Sequence, residues 1–246
     1  MKFHSGRWSS FSDRTPGGQW LSFPAMARTA LVTGANRGIG LALCRRLKEG
    51  GREVIGVCRK SSPALDGLGV RVEAGVDVTS DDAVAGLARR LEGVALDELV
   101  CNAGILRDDD LDDRAYDDIR AQFEVNAVAP LRVVAALHRN LRRGGKIALI
   151  TSRMGSIADN GSGGHYGYRM SKAALNAAGV SMARDLGPAG IAVAILHPGY
   201  VRTDMTEGSG NIDPADAAKQ LVDRLDALTP ETTGTFWHAN GQVLPW

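Results

Sequence analysis

Residues 29–40 read TALVTGANRGIG, an apolar run that passes without a break into a glycine-rich turn. The residues that follow carry apolar side chains at helical spacing, among them Leu43, Cys44 and Leu47. This pattern predicts a buried strand, a tight turn and an amphipathic helix, in that order. The stretch therefore predicts the first β–α unit of a fold in which strands and helices alternate.

Further apolar runs alternate with helical patterns along the rest of the chain. Together with the first run, the predicted strands cover residues 29–33, 53–58, 70–74, 98–101, 146–151 and 191–196, with a weaker candidate at 234–238. Most of these runs are continuously apolar, which is typical of strands buried on both faces. We therefore predict an α/β fold: one Rossmann-type, doubly wound parallel sheet of about seven strands, with helices on both faces.

Two of the intervening helices carry clear start signals. Ser80 can cap a helix over residues 80–91, whose apolar side chains fall on one face. Asp213 followed by Pro214 predicts the start of another helix. Because no linker or repeat interrupts the alternation, we expect one domain over residues 26–246.

The composition narrows the class of protein. The 246 residues are 44% hydrophobic with a net charge of +1, which favours a globular domain and offers no electrostatic reason to expect a nucleic-acid partner. No apolar run is long enough for a membrane span. Three separated cysteines, Cys44, Cys58 and Cys101, favour buried thiols in a reducing compartment, and hence a cytoplasmic location. The histidines show no ligand spacing, so we expect no metal site.

Residues 1–25 differ from the rest of the chain. They are rich in serine, glycine and aromatic residues, and they show no helical or alternating apolar period. We interpret them as a disordered extension, with Met26 as the natural beginning, because an apolar strand starts only a few residues later. The alternative is a basic, serine-rich targeting segment.

The turn after the first strand has the composition of a phosphate-binding loop. Glycines let the chain turn sharply and let backbone N–H groups approach a pyrophosphate, while the following helix N-terminus adds partial positive charge. The residues that we expect to contact a dinucleotide here are Gly34, Asn36, Arg37, Gly38, Ile39 and Gly40. The alternative is an ordinary glycine-rich turn between a strand and a helix.

The choice of nucleotide depends on the residues after the second strand. A site that prefers NAD usually places an acid there to bind the ribose 2′-hydroxyl. This chain has Arg59 and Lys60 instead, and Arg37 lies in the glycine loop. Cations at this position pair with a 2′-phosphate, so we predict NADP(H) as the cofactor. Alternatively, Arg59 and Lys60 are only solvated charges at a strand end.

In order along the chain, these motifs resemble the short-chain dehydrogenase/reductase superfamily, and within it the C-factor-like and carbonyl reductase-like branch. Residues 33–40 resemble its TGxxxGIG turn, and residues 152–157 and 244–246 resemble segments of that branch. The resemblance implies further cofactor contacts from Asp77, Val78, Asn102, Ala103, Gly104, Pro198, Gly199, Val201 and Thr203. It implies a catalytic tetrad of Asn126, Ser152, Tyr168 and Lys172, of which Tyr168 and Lys172 also contact the cofactor.

The proposed chemistry is reasonable from the residues alone. Tyr168 and Lys172 are four positions apart and share one face of a helix. An ammonium beside a phenol favours the phenolate, so we expect Lys172 to lower the pKa of Tyr168, the general acid and base. Ser152 follows the fifth predicted strand, at the sheet edge where ligands bind, and can orient the substrate oxygen.

Asn126 lies in a helical pattern over residues 123–137, which Pro130 interrupts. A proline cannot donate to the carbonyl four residues earlier, which leaves the Asn126 carbonyl free to bind water. In the resembled family such a water links the lysine to a proton relay, and we expect Asn126 to support one. The alternative is a simple kink that shapes packing.

Some features depart from the family pattern. Ser152 and Tyr168 are 16 positions apart, longer than in most relatives, and Ser156 and Tyr166 are rivals for their roles. Cys101 replaces an asparagine before the residues Asn102, Ala103 and Gly104, which we expect to affect the stiffness of this loop. Only eight residues separate Met205 from Pro214, and this short lid suggests an exposed, permissive pocket or a substrate that partly remains in solvent. We expect the pocket neighbours to include Leu106, Arg107, Met154, His165, Tyr200 and Met205.

The leading hypothesis is an NADP(H)-dependent oxidoreductase that acts on a small carbonyl or alcohol substrate. A nucleotide-binding signalling or regulatory module of C-factor type is the first alternative, and a sugar-nucleotide epimerase is the second. The resemblance also implies a homodimer or homotetramer, in which the helices carrying Asn126 and Tyr168 pack against a partner.

Overall fold

The computed structural model describes residues 27–112 and 115–246. Their strands, in chain order, are β1 (Thr29–Thr33), β2 (Glu53–Val57), β3 (Arg71–Glu73), β4 (Leu96–Cys101), β5 (Leu141–Ile150), β6 (Ala192–His197) and β7 (Phe236–His238). All are parallel and form one sheet in the order β3-β2-β1-β4-β5-β6-β7. The predicted doubly wound α/β fold is confirmed, including the weak seventh strand. The interpretation of residues 1–25 lies outside the described residues.

Helices cover both faces of this sheet. They are α1 (Gly38–Glu49), α2 (Pro63–Asp66), α3 (Asp81–Arg90), α4 (Tyr116–Phe123), α5 (Ala129–Leu137), α6 (Tyr166–Leu186) and α7 (Pro214–Ala227). One apolar cluster joins the sheet to α1 and α7, and a second joins its other face to α3, α5 and α6. Among the described residues, no helix combines the length and the apolar character needed to cross a membrane.

Both predicted helix starts are present. The Ser80 hydroxyl accepts a hydrogen bond of 3.2 Å from the Ala83 N–H and so caps α3. Helix α7 begins at Pro214, whose missing N–H costs little in a first turn. Local capping chemistry was therefore sufficient to predict where these helices start.

The structure corrects two predicted boundaries. Strand β5 begins at Leu141, five residues before the predicted start, because Leu141 pairs with Leu96 across a register shift. The charged and glycine residues in between hide this extension from an apolar pattern. The helix predicted across residues 123–137 is instead two helices joined by a π-helical turn, Glu124–Val128. Pro130 lies in the first turn of α5, where a proline is tolerated.

The strand order creates a crevice between β1 and β4. The chain runs outward from β1 to β2 and β3, then returns to place β4 on the other side of β1. The loops that leave the carboxyl ends of β1 and β4 therefore diverge, and ligands of open α/β sheets bind at such a switch point. The glycine turn and residues 102–104 meet there.

Candidate active site

The glycine turn after β1 packs closely against its surroundings. Gly34 and Gly38 have positive φ angles of 67° and 54°, which other residues rarely adopt. A Cβ atom at Gly40 would overlap the carbonyl oxygen of Gly34. Glycine is therefore required at these positions for the chain to turn tightly from β1 into α1.

The N-terminus of α1 is free to receive an anion. Its first turn contains no acidic residue, and the preceding Arg37 makes no side-chain capping bond. The Asn102 side chain donates to the carbonyl oxygens of Thr33 and Gly34 over 3.0 and 3.3 Å, which braces the glycine turn from β4. This rigid cradle of backbone N–H groups and positive helix end fits the pyrophosphate of a dinucleotide.

The predicted adenosine end lies beyond β2 and β3. Arg59 and Lys60 are exposed and line the crevice together with Asp77 and Val78. Hydrogen bonds from Thr79 lower the pKa of the Asp77 carboxyl, and the Arg59 charge lowers it further. The Asp77 carboxylate is thus already engaged by Thr79, and Arg59 and Lys60 line the crevice.

Arg37 was predicted to pair with the 2′-phosphate of the cofactor, but in the structure it has a partner within the protein. It lines the crevice, but its guanidinium pairs with the Asp204 carboxylate at 2.7 Å. Both side chains are exposed, so the pair is screened and weak. Asp204 lies in the segment that follows β6, next to Thr203. The glycine motif alone gives no indication of this partner, because the two residues are far apart in the sequence.

Ser152, Tyr168 and Lys172 come together at the other end of the crevice. Ser152 follows β5, and its hydroxyl hydrogen-bonds the phenol of Tyr168. On α6, the Lys172 Nζ lies 5.7 Å from the centre of the Tyr168 ring and donates to the Ile150 carbonyl over 2.9 Å. Three of the four predicted catalytic side chains therefore share one wall.

Burial dominates the electrostatics of this wall. It raises the pKa of Tyr168 to about 12, and the Ser152 hydrogen bond offsets part of this rise. It lowers the pKa of Lys172, which is only 4% exposed, to about 8. The predicted lowering of the Tyr168 pKa by Lys172 is therefore not reproduced by the groups of the protein alone. Loss of solvation is the largest influence on both groups.

Asn126 lies behind this wall, in the π-helical turn, and is fully buried. Its side chain donates to the Ile105 carbonyl over 2.9 Å and to the Ser171 hydroxyl over 3.1 Å, and it accepts from the Ile105 N–H over 2.9 Å. A π-turn often marks a functional position in a helix. Here it directs one side chain to both the loop after β4 and the helix α6.

A single cavity of about 810 Å³ joins the two ends. It is lined by every predicted catalytic and cofactor-binding residue except Asn126: Gly34, Asn36, Arg37, Gly38, Ile39, Gly40, Arg59, Asp77, Val78, Asn102, Ala103, Gly104, Ser152, Tyr168, Lys172, Pro198, Gly199, Val201 and Thr203. The rivals Ser156 and Tyr166 lie outside it. Its size suits a dinucleotide with a small substrate.

The predicted pocket neighbours divide into two groups. Leu106, Met154, Tyr200 and Met205 line the cavity. Arg107 and His165 do not, because their side chains point to Asp118 and Asp108 on the outside of the wall.

The sequence interpretation missed Arg153 and His197, which also line the cavity. Burial, with the nearby His238 and Arg153, lowers the pKa of His197 to about 3, so its imidazole is neutral. Each residue is adjacent to a predicted position, Ser152 or Pro198, at the carboxyl end of a strand. That location was the available signal. Among the described residues, no group of histidine, cysteine and acidic side chains is arranged to hold a metal ion.

The chain matches the sequence model of the short chain dehydrogenase family over residues 28–212. It is 43% identical over 224 residues to the 1-hydroxy-2-glutathionyl-2-methyl-3-butene dehydrogenase of Rhodococcus sp. (strain AD45), covering 89% of this chain and 99% of that protein. It is also 43% identical over 159 residues to the C-signal protein of Myxococcus xanthus, covering 61% of this chain and 93% of that protein.

The fold of the chain is also similar to that of solved reductase structures. The crystal structure of NADPH-bound carbonyl reductase from chicken fatty liver superimposes with a TM-score of 0.79 at 29% identity. The match covers 89% of this chain and 99% of the reductase. The match to the Rhodococcus enzyme and the match to the chicken reductase each cover 89% of this chain.

Proposed function

The chain belongs to the short-chain dehydrogenase family, and we propose that it transfers a hydride between NADP(H) and a carbonyl or alcohol substrate. When bound, the nicotinamide would supply the hydride in reduction and accept it in oxidation. One observation carries the proposal. A single cavity presents a glycine-lined helix N-terminus at one end and Ser152, Tyr168 and Lys172 at the other.

Tyr168 acts as the general acid of carbonyl reduction. With a pKa raised to about 12, its phenol is protonated at neutral pH and can give its proton to the carbonyl oxygen as hydride reaches the carbonyl carbon. Ser152 hydrogen-bonds the phenol and is placed to hold the same substrate oxygen.

Lys172 and Asn126 return the proton to Tyr168. A pKa lowered to about 8 lets Lys172 exchange protons near neutral pH, and its charged form stabilises the phenolate left after each turnover. The Asn126 side chain is held by Ile105 and Ser171, which leaves its main-chain carbonyl to bind a relay water because Pro130 cannot donate to it. Lys172 and Asn126 thus complete the route for the proton.

The preference for NADP(H) over NAD(H) comes from the end of β2. Arg59 and Lys60 follow the strand where an NAD site would place an acid. The nearby Asp77 carboxylate is bound to Thr79, so it does not take up the Arg59 guanidinium. The similar chicken reductase was crystallised with NADPH.

The substrate pocket accepts molecules that extend into solvent. The segment after Thr203 folds back on itself, with a hydrogen bond of 2.9 Å from the Gly208 N–H to the Thr203 carbonyl. It leaves Tyr200 and Met205 exposed at the rim by 55% and 40%. The similar Rhodococcus enzyme is named for an alcohol that carries a glutathionyl group. We therefore include bulky glutathione conjugates among the candidate substrates.

Replacement of Tyr168 by Phe tests the proposed function. We expect Tyr168→Phe to bind NADPH with a Kd close to that of the wild type, while its turnover of aldehydes and ketones falls by about 10³-fold or more. The readouts are cofactor fluorescence for binding and loss of cofactor absorbance for turnover. Tyr166→Phe is the matched control, because Tyr166 lies outside the cavity and should leave turnover unchanged.

The carbonyl panel should pair small aldehydes with bulky ones, including glutathione conjugates. Full turnover by Tyr168→Phe would remove Tyr168 from the acid role. If the wild type binds NADPH but reduces nothing in the panel, a nucleotide-binding regulatory module replaces the enzyme hypothesis.

A homodimer or homotetramer is part of the proposal. Phe123, Leu131, Tyr166 and Met170, on the helices that flank the site, are each at least 40% exposed. Apolar side chains in such numbers on adjacent helices are typical of subunit contacts. Light scattering coupled to size exclusion would test the assembly. Three buried free thiols also agree with the predicted cytoplasmic location.

A further inference from the structure

The helix that carries Tyr168 does not cap its own N-terminus. The preceding residue, His165, has a left-handed φ of 49° and makes no side-chain capping bond, and the first turn of α6 contains no acidic residue. A carboxylate from a distant segment takes this place. Both Asp109 oxygens accept from the Gly167 N–H, at 3.0 and 3.2 Å, and the Asp109 carbonyl accepts from the His165 N–H at 3.0 Å.

Gln122 completes this contact from α4. Its side chain is fully buried. Its Nε2 donates to Asp109 over 3.3 Å, and its Oε1 accepts from the Arg107 N–H over 3.0 Å. A Cβ atom at Gly167 would lie 2.6 Å from Gln122 Nε2 and 2.9 Å from Asp109 Oδ2. The residue before Tyr168 must therefore be glycine for the three segments to meet.

This arrangement is more demanding than a surface cap. Asp109 is only 7% exposed, and no ion pair reaches it from the described residues. Burying a carboxylate without a cation is costly, and an exposed Ser, Thr or Asp beside the helix would cap it equally well. The residues before Asp109 also form part of the cavity wall through Ile105 and Leu106. The carboxylate thus fixes the cavity wall relative to the phenol of Tyr168.

We propose that Asp109 and Gln122 are positioning residues that hold the first turn of α6, and hence Tyr168, in register with the substrate oxygen. The proposal rests on the function proposed above. A phenol that shifts by about 1 Å loses much of its rate advantage, because proton transfer requires hydrogen-bond distance. The glycine turn and Arg59, which we propose bind the phosphates of NADP(H), lie on other elements, so cofactor binding should change little when this contact is lost.

A polarity swap tests the contact without a change of shape. In Asp109→Asn the new amide oxygen can still accept from Gly167, but the new NH₂ group opposes the NH₂ group of Gln122. Combining it with Gln122→Glu restores the pattern, because the new carboxylate can accept from both the new amide and the Arg107 N–H. Asp108→Asn is the matched control, since Asp108 is exposed in the same loop.

We expect kcat for aldehyde reduction to fall about ten-fold in Asp109→Asn, with KM for NADPH within about two-fold of wild type. The double variant should recover kcat to within about three-fold of wild type. The kcat of the Asp108→Asn control should equal that of the wild type. Circular dichroism and thermal melting of all variants verify that each is folded.

Three results would overturn this inference: an unchanged kcat in Asp109→Asn, a loss confined to KM for NADPH, or a double variant no better than the single one. Tyr168→Phe is assayed in the same series. Retained turnover in that variant contradicts the proposed function itself, whereas failure of the swap alone contradicts only the positioning role.

Discussion

Charged side chains are buried at both ends of the parallel sheet, but their partners differ. At the amino end, Glu98 is 1% exposed and accepts from Arg52 over 3.1 and 3.2 Å, with Arg28 at 3.1 Å. Asp226 also pairs with Arg52, and Lys146 donates to two carbonyl oxygens of α7 over 2.8 Å. The buried charges of Glu98 and Arg52 therefore neutralise each other.

At the carboxyl end, the buried groups are incompletely paired. Lys172 donates to a main-chain carbonyl, and no carboxylate reaches it from the described residues. His197 Nδ1 is buried and has no hydrogen-bond partner within the same residues. Both side chains line the cavity. The two edges thus differ in how a buried cation is paired: Arg52 has two carboxylate partners, whereas Lys172 has none among the described residues.

Neutralising a buried charge should therefore have opposite consequences at the two edges. For Lys172→Met we expect kcat for carbonyl reduction to fall by about 10²–10³-fold, because the phenolate of Tyr168 loses its cation. The same variant should be at least as stable as the wild type at pH 7, since a poorly solvated ammonium has been removed. Steady-state rates and urea unfolding measure the two effects.

The pH dependence sharpens this test. The pKa of Lys172 is about 8 in the folded protein and 10.5 as an ordinary lysine. Between these values the unfolded chain binds more protons, so the wild type gains stability as the pH rises through this window and Lys172→Met does not. The stability advantage of the variant should shrink between pH 8 and pH 10. A variant less stable than the wild type at pH 7 would contradict the comparison.

At the amino end, Glu98→Gln should act on stability alone. It leaves Arg52 buried without its main counter-charge, and breaking one partner of such a pair costs about 3 kcal/mol of unfolding free energy. The kcat of the folded variant should stay within about two-fold of wild type, because the cluster is at the opposite end of the strands. Glu53→Gln is the control, as Glu53 is exposed at the start of β2, at the same end of the sheet. Comparable losses in both variants would refute the role of the cluster.

The smallest expected effect concerns an exposed cation at the carboxyl end. Arg59 lines the cavity and forms no ion pair with the described residues. For Arg59→Asp we expect KM for NADPH to rise about 30-fold, because the new carboxylate repels the 2′-phosphate, and KM for NADH to change much less. Parallel titrations with both cofactors provide the measurement. Equal weakening of the two would reverse the assignment to NADP(H).

The sequence predicted the fold and most of the cavity because these depend on short-range patterns. The apolar run and glycines of residues 29–40 predict one β–α junction, and the spacing of Tyr168 and Lys172 places them on one helix face. The π-helical turn at Glu124–Val128 was not predicted, because Pro130 indicated only a kink in the helix. The contact of Asn126 in this turn with Ile105, in the loop after β4, is not visible from the local sequence. The expected fall in the pKa of Tyr168 was wrong, because the spacing of Tyr168 and Lys172 does not show that burial raises this pKa.

Local order along the chain thus determined where strands turn into helices and which side chains share a helix face, since backbone sterics and periodicity act within a few residues. Only the tertiary structure decided that Ser152 faces the cavity while Ser156 does not. It also decided that Asp109 caps a helix 58 residues away, and that Glu98 meets Arg52 at the opposite edge. Such contacts join segments distant in sequence, and their geometry is set by the packing of the sheet and its helices.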